Sequence, residues 1–239
     1  LEYCVRPDRP TLFNQGEEWS CEEWKLWVVE KYLPYRSWQV HNNQFDEEVE
    51  QTVARFSEWY IDNYVSIHED PDLSLTHCLR SLASSDSEDE FSIILLLDCL
   101  PVTYMPLLEK ELSNVGFSCH ELEYRFALLP TSTEYNKPVL LSGVCDNDEQ
   151  NYERILNERI TAEWVGKEGI YLSNLKAISE MPVPQKPTIA VLNLVEGDKL
   201  LHSDVESQNT TYEEELHRIF SRLAVSVHRV ADGWPGPKD

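Results

Sequence analysis

Two continuous apolar runs, each broken off by an acid, constrain this 239-residue chain more than any other feature. The first, Phe91-Ser92-Ile93-Ile94-Leu95-Leu96-Leu97, stops on Asp98; the second, Pro187 to Val195, runs into Glu196-Gly197-Asp198. Short runs rich in Ile, Leu and Val, bounded by polar residues, read as strands buried on both faces. Such strands belong to parallel sheets covered by helices on either side. Open sheets of that kind bind ligands outside the carboxyl ends of their strands, which is where Asp98 and Asp198 fall.

Helical patterns fill the intervals. Trp19 to Leu33 carries a capping Ser20, acids in its first turn and a Pro34 expected to end it. Asp46 to Ser66 repeats Val49, Val53, Phe56, Tyr60 and Tyr64 at helical spacing. That aromatic stripe could stack bases, but core packing is the simpler reading among so many acids. Leu75–Ala83, Pro101–Asn114, Asp148–Val165 and Thr211–Ala231 follow as further helices, and Phe117–Leu129 reads as a second β-like stretch. Residues 166–186 are mixed, with a loop at Met181-Pro182-Val183-Pro184. The expected fold is α/β, a largely parallel sheet flanked by helices. The acidic low-complexity run Ser84–Glu90 marks a boundary between a helical N-terminal region, 1–87, and a core, 88–239.

Charge narrows the function classes. With 43 Asp and Glu against 20 Lys and Arg, the formal net charge is −23. Such a surface does not grip nucleic-acid phosphates non-specifically, which needs clustered cations. A small site where bound ions neutralise a phosphate locally is still compatible. No apolar run approaches bilayer-spanning length and the N-terminus has no signal-peptide pattern, so a soluble cytoplasmic protein without a membrane partner is expected. Cysteines at 4, 21, 78, 99, 119 and 145 form no Cys-x-x-Cys pair, so buried reduced thiols are expected rather than a structural zinc site. The chain lacks an initiator Met and ends Trp234-Pro235-Gly236-Pro237-Lys238-Asp239, so it is expected to be a piece of something longer.

The chemistry concentrates at Asp98 and at Pro130-Thr131-Ser132-Thr133-Glu134-Tyr135-Asn136-Lys137-Pro138, which leads through Val139-Leu140-Leu141 to Ser142-Gly143. This combination resembles the PglZ domain of bacterial phage-defence systems, within the alkaline phosphatase superfamily. The resemblance covers roughly residues 88–239. Related phosphodiesterases of that superfamily carry Pro-x-x-Thr, Asn three residues on, then a small residue and Gly at the helix end. Pro130, Thr133, Asn136, Ser142 and Gly143 match that pattern in register.

The resemblance implies an alkaline-phosphatase-like fold and a metal-dependent phosphohydrolase, most simply a phosphodiesterase. Thr133 would be the nucleophile, and two divalent ions, zinc or manganese, would be the cofactors. Asp98 and Thr133 would hold one ion; Asp198 and His202, in Asp-x-x-x-His spacing after the second strand, would hold the other. Asn136 is the candidate donor to a phosphate oxygen, and Lys137 a candidate to neutralise the phosphate, at a position the related phosphodiesterases do not fix as lysine. The implied substrate is a phosphate ester, such as a nucleotide or nucleic acid, and the implied partners are other defence-system proteins. A threonine hydroxyl becomes an effective nucleophile when a metal lowers its pKa, and a pair of ions about 4 Å apart can stabilise attacking and leaving oxygens together.

Plainer readings stand beside these. Thr133 could cap the helix it precedes, Asp98 could cap the helix over 101–114, and the remaining histidines suit ordinary surface or core roles. The later Asp-His pair of the superfamily has no match after His202, so either those ligands lie beyond Asp239 or the site is degenerate. The competing function class is a non-catalytic scaffold within a defence complex.

Overall fold

A computed structural model describes residues 5–14, 16–83, 91–118, 122–145, 149–201 and 211–236. His202 and His120 lie outside the described residues. The chain divides into two compact units, Leu1–Glu69 and Asp70–Asp239. The division precedes the acidic run at 84–90, because Leu79 and Ala83 are core residues of the second unit, buried with Leu141, Ile155 and Leu156.

The first unit is helical. Helix α1 (Cys21–Leu26) starts at Ser20, whose side chain accepts from the Glu23 amide while the Glu23 carboxylate accepts from the Ser20 amide. This reciprocal cap satisfies two amides that the first turn leaves without partners. A π-helical segment, Trp27–Tyr32, then leads into α2 (Leu33–His41). The expected stop at Pro34 therefore does not occur. A proline inside a helix clashes with the carbonyl four residues back, and the wider π turn beside it relieves that crowding. Helices α3 (Glu47–Asp62) and α4 (Tyr64–Glu69) divide the expected 46–66 helix at Asn63. Trp24, Trp27, Tyr35 and Val49 form the core, with Phe13, Trp19, Phe56 and Trp59 packed around them.

The second unit begins with a 3-10 turn at Leu75–His77 and α5 (Cys78–Ala83). Its sheet contains β1 (Phe91–Leu97), β2 (Glu168–Leu172) and β3 (Thr188–Leu194) in the order β1-β3-β2, both pairings parallel. A 3-10 turn at Val102–Tyr104 leads into α6 (Met105–Asn114), and α7 (Thr133–Ser142), α8 (Tyr152–Glu163) and α9 (Leu175–Glu180) follow. After β3 come α10 (Glu196–Leu201) and α11 (Tyr212–Gly233).

All seven residues of the central β3 are buried. Alternation along the strands gives two cores. Ala190, Leu192 and Leu194 face Leu108 of α6, Ile178 of α9 and Phe220 and Leu223 of α11. Ile189 and Val191 face Leu141 of α7 and Ile155, Leu156 and Ile160 of α8. The molecule is thus mixed α/β in this unit, a small parallel sheet between two helical layers, the arrangement a parallel sheet requires.

Two expectations need correction. Residues 168–180 hold a strand and a helix rather than mixed structure. Gly169 permits this, since a β-carbon there would lie 2.5 Å from the Asn157 side chain of α8. Phe117–Leu129 contributes no strand to the sheet among the described residues. Instead the Phe126 amide donates to the Leu73 carbonyl at 2.8 Å, and the Leu75 amide donates back to Phe126 at 3.0 Å. Glu123 is exposed there, and Arg125 donates to the Pro71 carbonyl and the Ser81 hydroxyl, charged roles that a buried sheet would not accommodate.

Candidate functional site

The site is assembled where β1 ends and α7 begins. The Asp98 amide donates to the Leu194 carbonyl at 3.2 Å, so the β1–β3 ladder runs up to the acid and fixes its place. By strand alternation Asp98 follows Ile94 and Leu96 onto the face covered by α7 and α8.

Helix α7 supplies the partners. Thr133 is its first residue; the N-cap position belongs to Ser132, whose side chain makes no capping hydrogen bond. The Thr133 hydroxyl instead donates to Asp98 Oδ1 at 2.9 Å. One turn on, Lys137 Nζ donates to Asp98 Oδ2, also at 2.9 Å. A spacing of four places both side chains on one face of the helix. The capping reading of Thr133 therefore does not hold. Nor does that of Asp98, since α6 starts after Tyr104 with no side-chain cap.

Burial alone would raise the Asp98 carboxyl. Hydrogen bonds from Lys137 and Thr133, with the Lys137 charge, outweigh it and hold the group below the ordinary aspartate value. Lys137 is itself buried, its ammonium 5.6 Å from the centre of the Tyr152 ring.

Asn136 has a different task from the one expected. Its Nδ2 donates to the carbonyls of Pro130, Leu128 and Ser132 at 2.9, 3.1 and 3.3 Å, and its Oδ1 accepts from the Leu128 amide at 2.8 Å. The side chain thus fastens the loop before α7 to the helix. Pro138 removes the amide that would bond the Glu134 carbonyl, and Gln150 Nε2 donates to that carbonyl instead at 3.4 Å. At the other end, Gly143 adopts the left-handed conformation with φ 74°, and Arg159 Nη1 donates to the Leu140 carbonyl at 2.9 Å.

Cys99 follows the acid directly, with φ 55°. This conformation is uncommon for a residue with a β-carbon. It sets the thiol between two acids. Hydrogen bonding to Asp198 above all, then burial and the Asp98 charge, pushes the Cys99 thiol up. Asp198, in α10, is thereby placed beside the carboxyl end of β1. The expectation of buried thiols fails here and after α7, since Cys99 and Cys145 are exposed, while Cys21 and Cys78 are half-buried. Both exposed thiols follow the end of a regular element, outside the layers that cover the sheet.

Asp98, Cys99, Thr133, Asn136, Lys137 and Asn193 line a cavity of about 360 Å3. Asn193 was not expected there, although a single amide inside Leu192-Asn193-Leu194 breaks an otherwise apolar strand. Its Oδ1 is buried without a hydrogen-bond partner among the described residues. A larger groove of about 800 Å3 lies in the first unit between Phe13 and α3. Its Glu48 and Glu58 are already paired with Arg9 and Arg55, and it brings no comparable set of reactive groups together.

The oxygen donors suit a divalent ion in kind: the Asp98 and Asp198 carboxylates and the Thr133 hydroxyl. Among the described residues no three of His, Cys, Asp and Glu form a group that could hold a metal. His202, the fourth expected ligand, falls outside them. No protein-family model matches the chain, and no curated protein matches it.

Among the described residues no helix is long and apolar enough to cross a membrane. His68 accepts an ordinary role, with its Nε2 2.8 Å from the buried Tyr60 hydroxyl, and His217 pairs with Glu111 at 3.2 Å.

Proposed function

We propose that this chain carries the nucleophile side of a metal-dependent phosphohydrolase, a phosphodiesterase of the PglZ and alkaline phosphatase kind. The observation that carries the reading is the Thr133–Asp98 hydrogen bond, between two residues that line one cavity. Thr133 opens α7, a helix of ten residues. The first turn of a helix leaves backbone N–H groups without intrahelical partners, and these favour a phosphate.

The hydrogen bond to Asp98 orients the Thr133 hydroxyl, and the proton passes to water, since a carboxyl held below the ordinary aspartate value is a poor base. The Thr133 oxygen attacks phosphorus, a bond from phosphorus to that oxygen forms, and the ester alcohol leaves. Water then cleaves the phosphothreonine and frees the side chain. Asp98 and Thr133 would hold one divalent ion, with Asp198 and His202 holding a second; zinc or manganese there would lower the pKa of the hydroxyl and neutralise charge on the phosphoryl group. Asn136 serves as a positioning residue that keeps the loop and Thr133 in register. A cytoplasmic role in phage defence, with nucleotide or nucleic-acid esters as substrates and other defence proteins as partners, rests on the resemblance alone.

A second reading is favoured by one observation. Both Asp98 oxygens already have protein partners, so the acid is satisfied as it stands. A scaffold that keeps the fold and has given up the chemistry would look the same.

Hydrolysis of bis-p-nitrophenyl phosphate by the full protein, with added zinc or manganese, separates the two. The enzyme reading expects metal-dependent release of nitrophenol that falls at least about a hundredfold in Thr133→Ala, as loss of an attacking group does. Folded protein that is inactive with either metal leaves the scaffold.

A further inference from the structure

The geometry points to Lys137 as a resident counter-ion that competes with any divalent ion for Asp98, so that loading the carboxylate requires the ammonium to leave. This rests on the reading of Asp98 as a metal ligand, and adds to it a condition that neither the sequence pattern nor the resemblance contains.

Lysine ordinarily keeps its charged end in water and buries only its stem. Here the side chain is 9% exposed, and the ammonium is directed inward onto a carboxylate that is 14% exposed. The 2.9 Å contact uses Oδ2, and the Thr133 hydroxyl uses Oδ1. A carboxylate attracts a dication through its charge and its available lone pairs. Lys137 cancels the first and occupies part of the second, while its own charge repels an incoming cation across a poorly screened distance. The Tyr152 ring favours the ammonium where it is, and that ring in turn packs on Tyr171 at 5.8 Å.

The same geometry supplies a way out. Lys137 also lines the cavity, so a phosphate oxygen entering there offers the ammonium another anion. Transfer of Lys137 to the phosphate frees Oδ2 for the ion. Anion and metal should therefore strengthen each other's binding by the same factor, as any such linkage requires.

Manganese binding to the full protein, followed by the loss of the free-ion electron paramagnetic resonance signal, tests this without turnover. Lys137→Met and Lys137→Gln should bind the ion about tenfold or more tightly than the parent, and Asp98→Asn should bind it more weakly. Parent-like affinity in both folded Lys137 variants, with Asp98→Asn weakened, overturns the competition and leaves Asp98 a ligand. Parent-like affinity in Asp98→Asn removes the ligand reading and the competition with it. A wild-type measurement covers the case in which the variants fail to fold. Saturating manganese should raise acylation of Lys137, read by peptide mass spectrometry, several-fold. Unchanged labelling overturns the inference.

Discussion

Asp46 in the first unit and Asp98 in the second are both carboxylates held by a cation, and they are held for different purposes. Asp46 caps α3 by accepting from the Val49 amide, and it also accepts from Arg9 and from the Tyr35 hydroxyl. Its role is complete within the fold. Asp98 caps nothing: its partners Thr133 and Lys137 lie 35 and 39 residues away on a different element. A carboxylate at the end of a strand, bridged to a hydroxyl and an ammonium rather than to backbone, contributes little that the sheet needs. That difference singles out Asp98 as the functional candidate. The surroundings differ in the same sense, with aromatic rings packing the first unit and aliphatic side chains packing both faces of the sheet.

The sharpest way to break the comparison is through the cores. Trp24→Ala removes a fully buried ring that contacts Trp19, Trp27, Phe56 and Trp59, and should cost about 3–5 kcal/mol. Five of the seven tryptophans, at 19, 24, 27, 38 and 59, belong to this unit, so denaturant unfolding followed by their fluorescence reads the loss directly. A cost below about 1 kcal/mol would mean that the ring cluster is not the core described here.

Asp46→Ala comes next. Loss of the cap and of the Arg9 pair should together cost about 2 kcal/mol, and Asp46→Asn, which keeps an acceptor, about half as much, by the same unfolding measurement. Equal losses in the two variants would show that charge, not capping, is the purpose of Asp46.

Acid gives the smallest effect. The Arg9 hydrogen bonds, offset in part by burial, hold the Asp46 carboxyl at about 2, below an ordinary aspartate. A lowered value means stability that is present above the unfolded pKa, near 4, and lost as pH falls toward 2. The expected loss over that interval is about 1 kcal/mol, discounted for the exposure of Arg9, and it should disappear in Asp46→Asn. Asp98 is shifted in the same direction, so acid should weaken its link to α7 as well.

What could be read from the sequence follows the physics of each signal. Strand 188–194 announces itself because burial on both faces demands an unbroken apolar run, and 91–97, though only half-buried, shows the same pattern because its alternate residues pack against both cores. Strand β2 does not, since its Glu168-Gly169-Ile170-Tyr171-Leu172 is short and mixed, and its place depends on a glycine fitting against α8. Pro34 misleads because the relief of its clash lies in backbone geometry that composition does not encode. At the site, Asp98 and Thr133 are marked by strand end and motif, and they do meet. The direction of Lys137 and the commitment of Asn136 to the loop depend on how α7 is rotated over the sheet, which no local pattern specifies. Cys99 was visible only as a neighbour of Asp98. Its approach to Asp198 arises when β1 and β3 align in register.

The π segment at Trp27–Tyr32 also fixes a phase. Each residue advances a helix by about 100°, and a π turn of this kind amounts to one extra residue in an otherwise regular helix. If the same residues ran on as regular α-helix instead, α2 would be turned by that angle relative to α1. Tyr35, which now reaches Asp46 at 3.1 Å from a buried position, would swing out of line with it. The irregular turn therefore acts as a spacer in rotation, and the clasp between α2 and the start of α3 depends on its count.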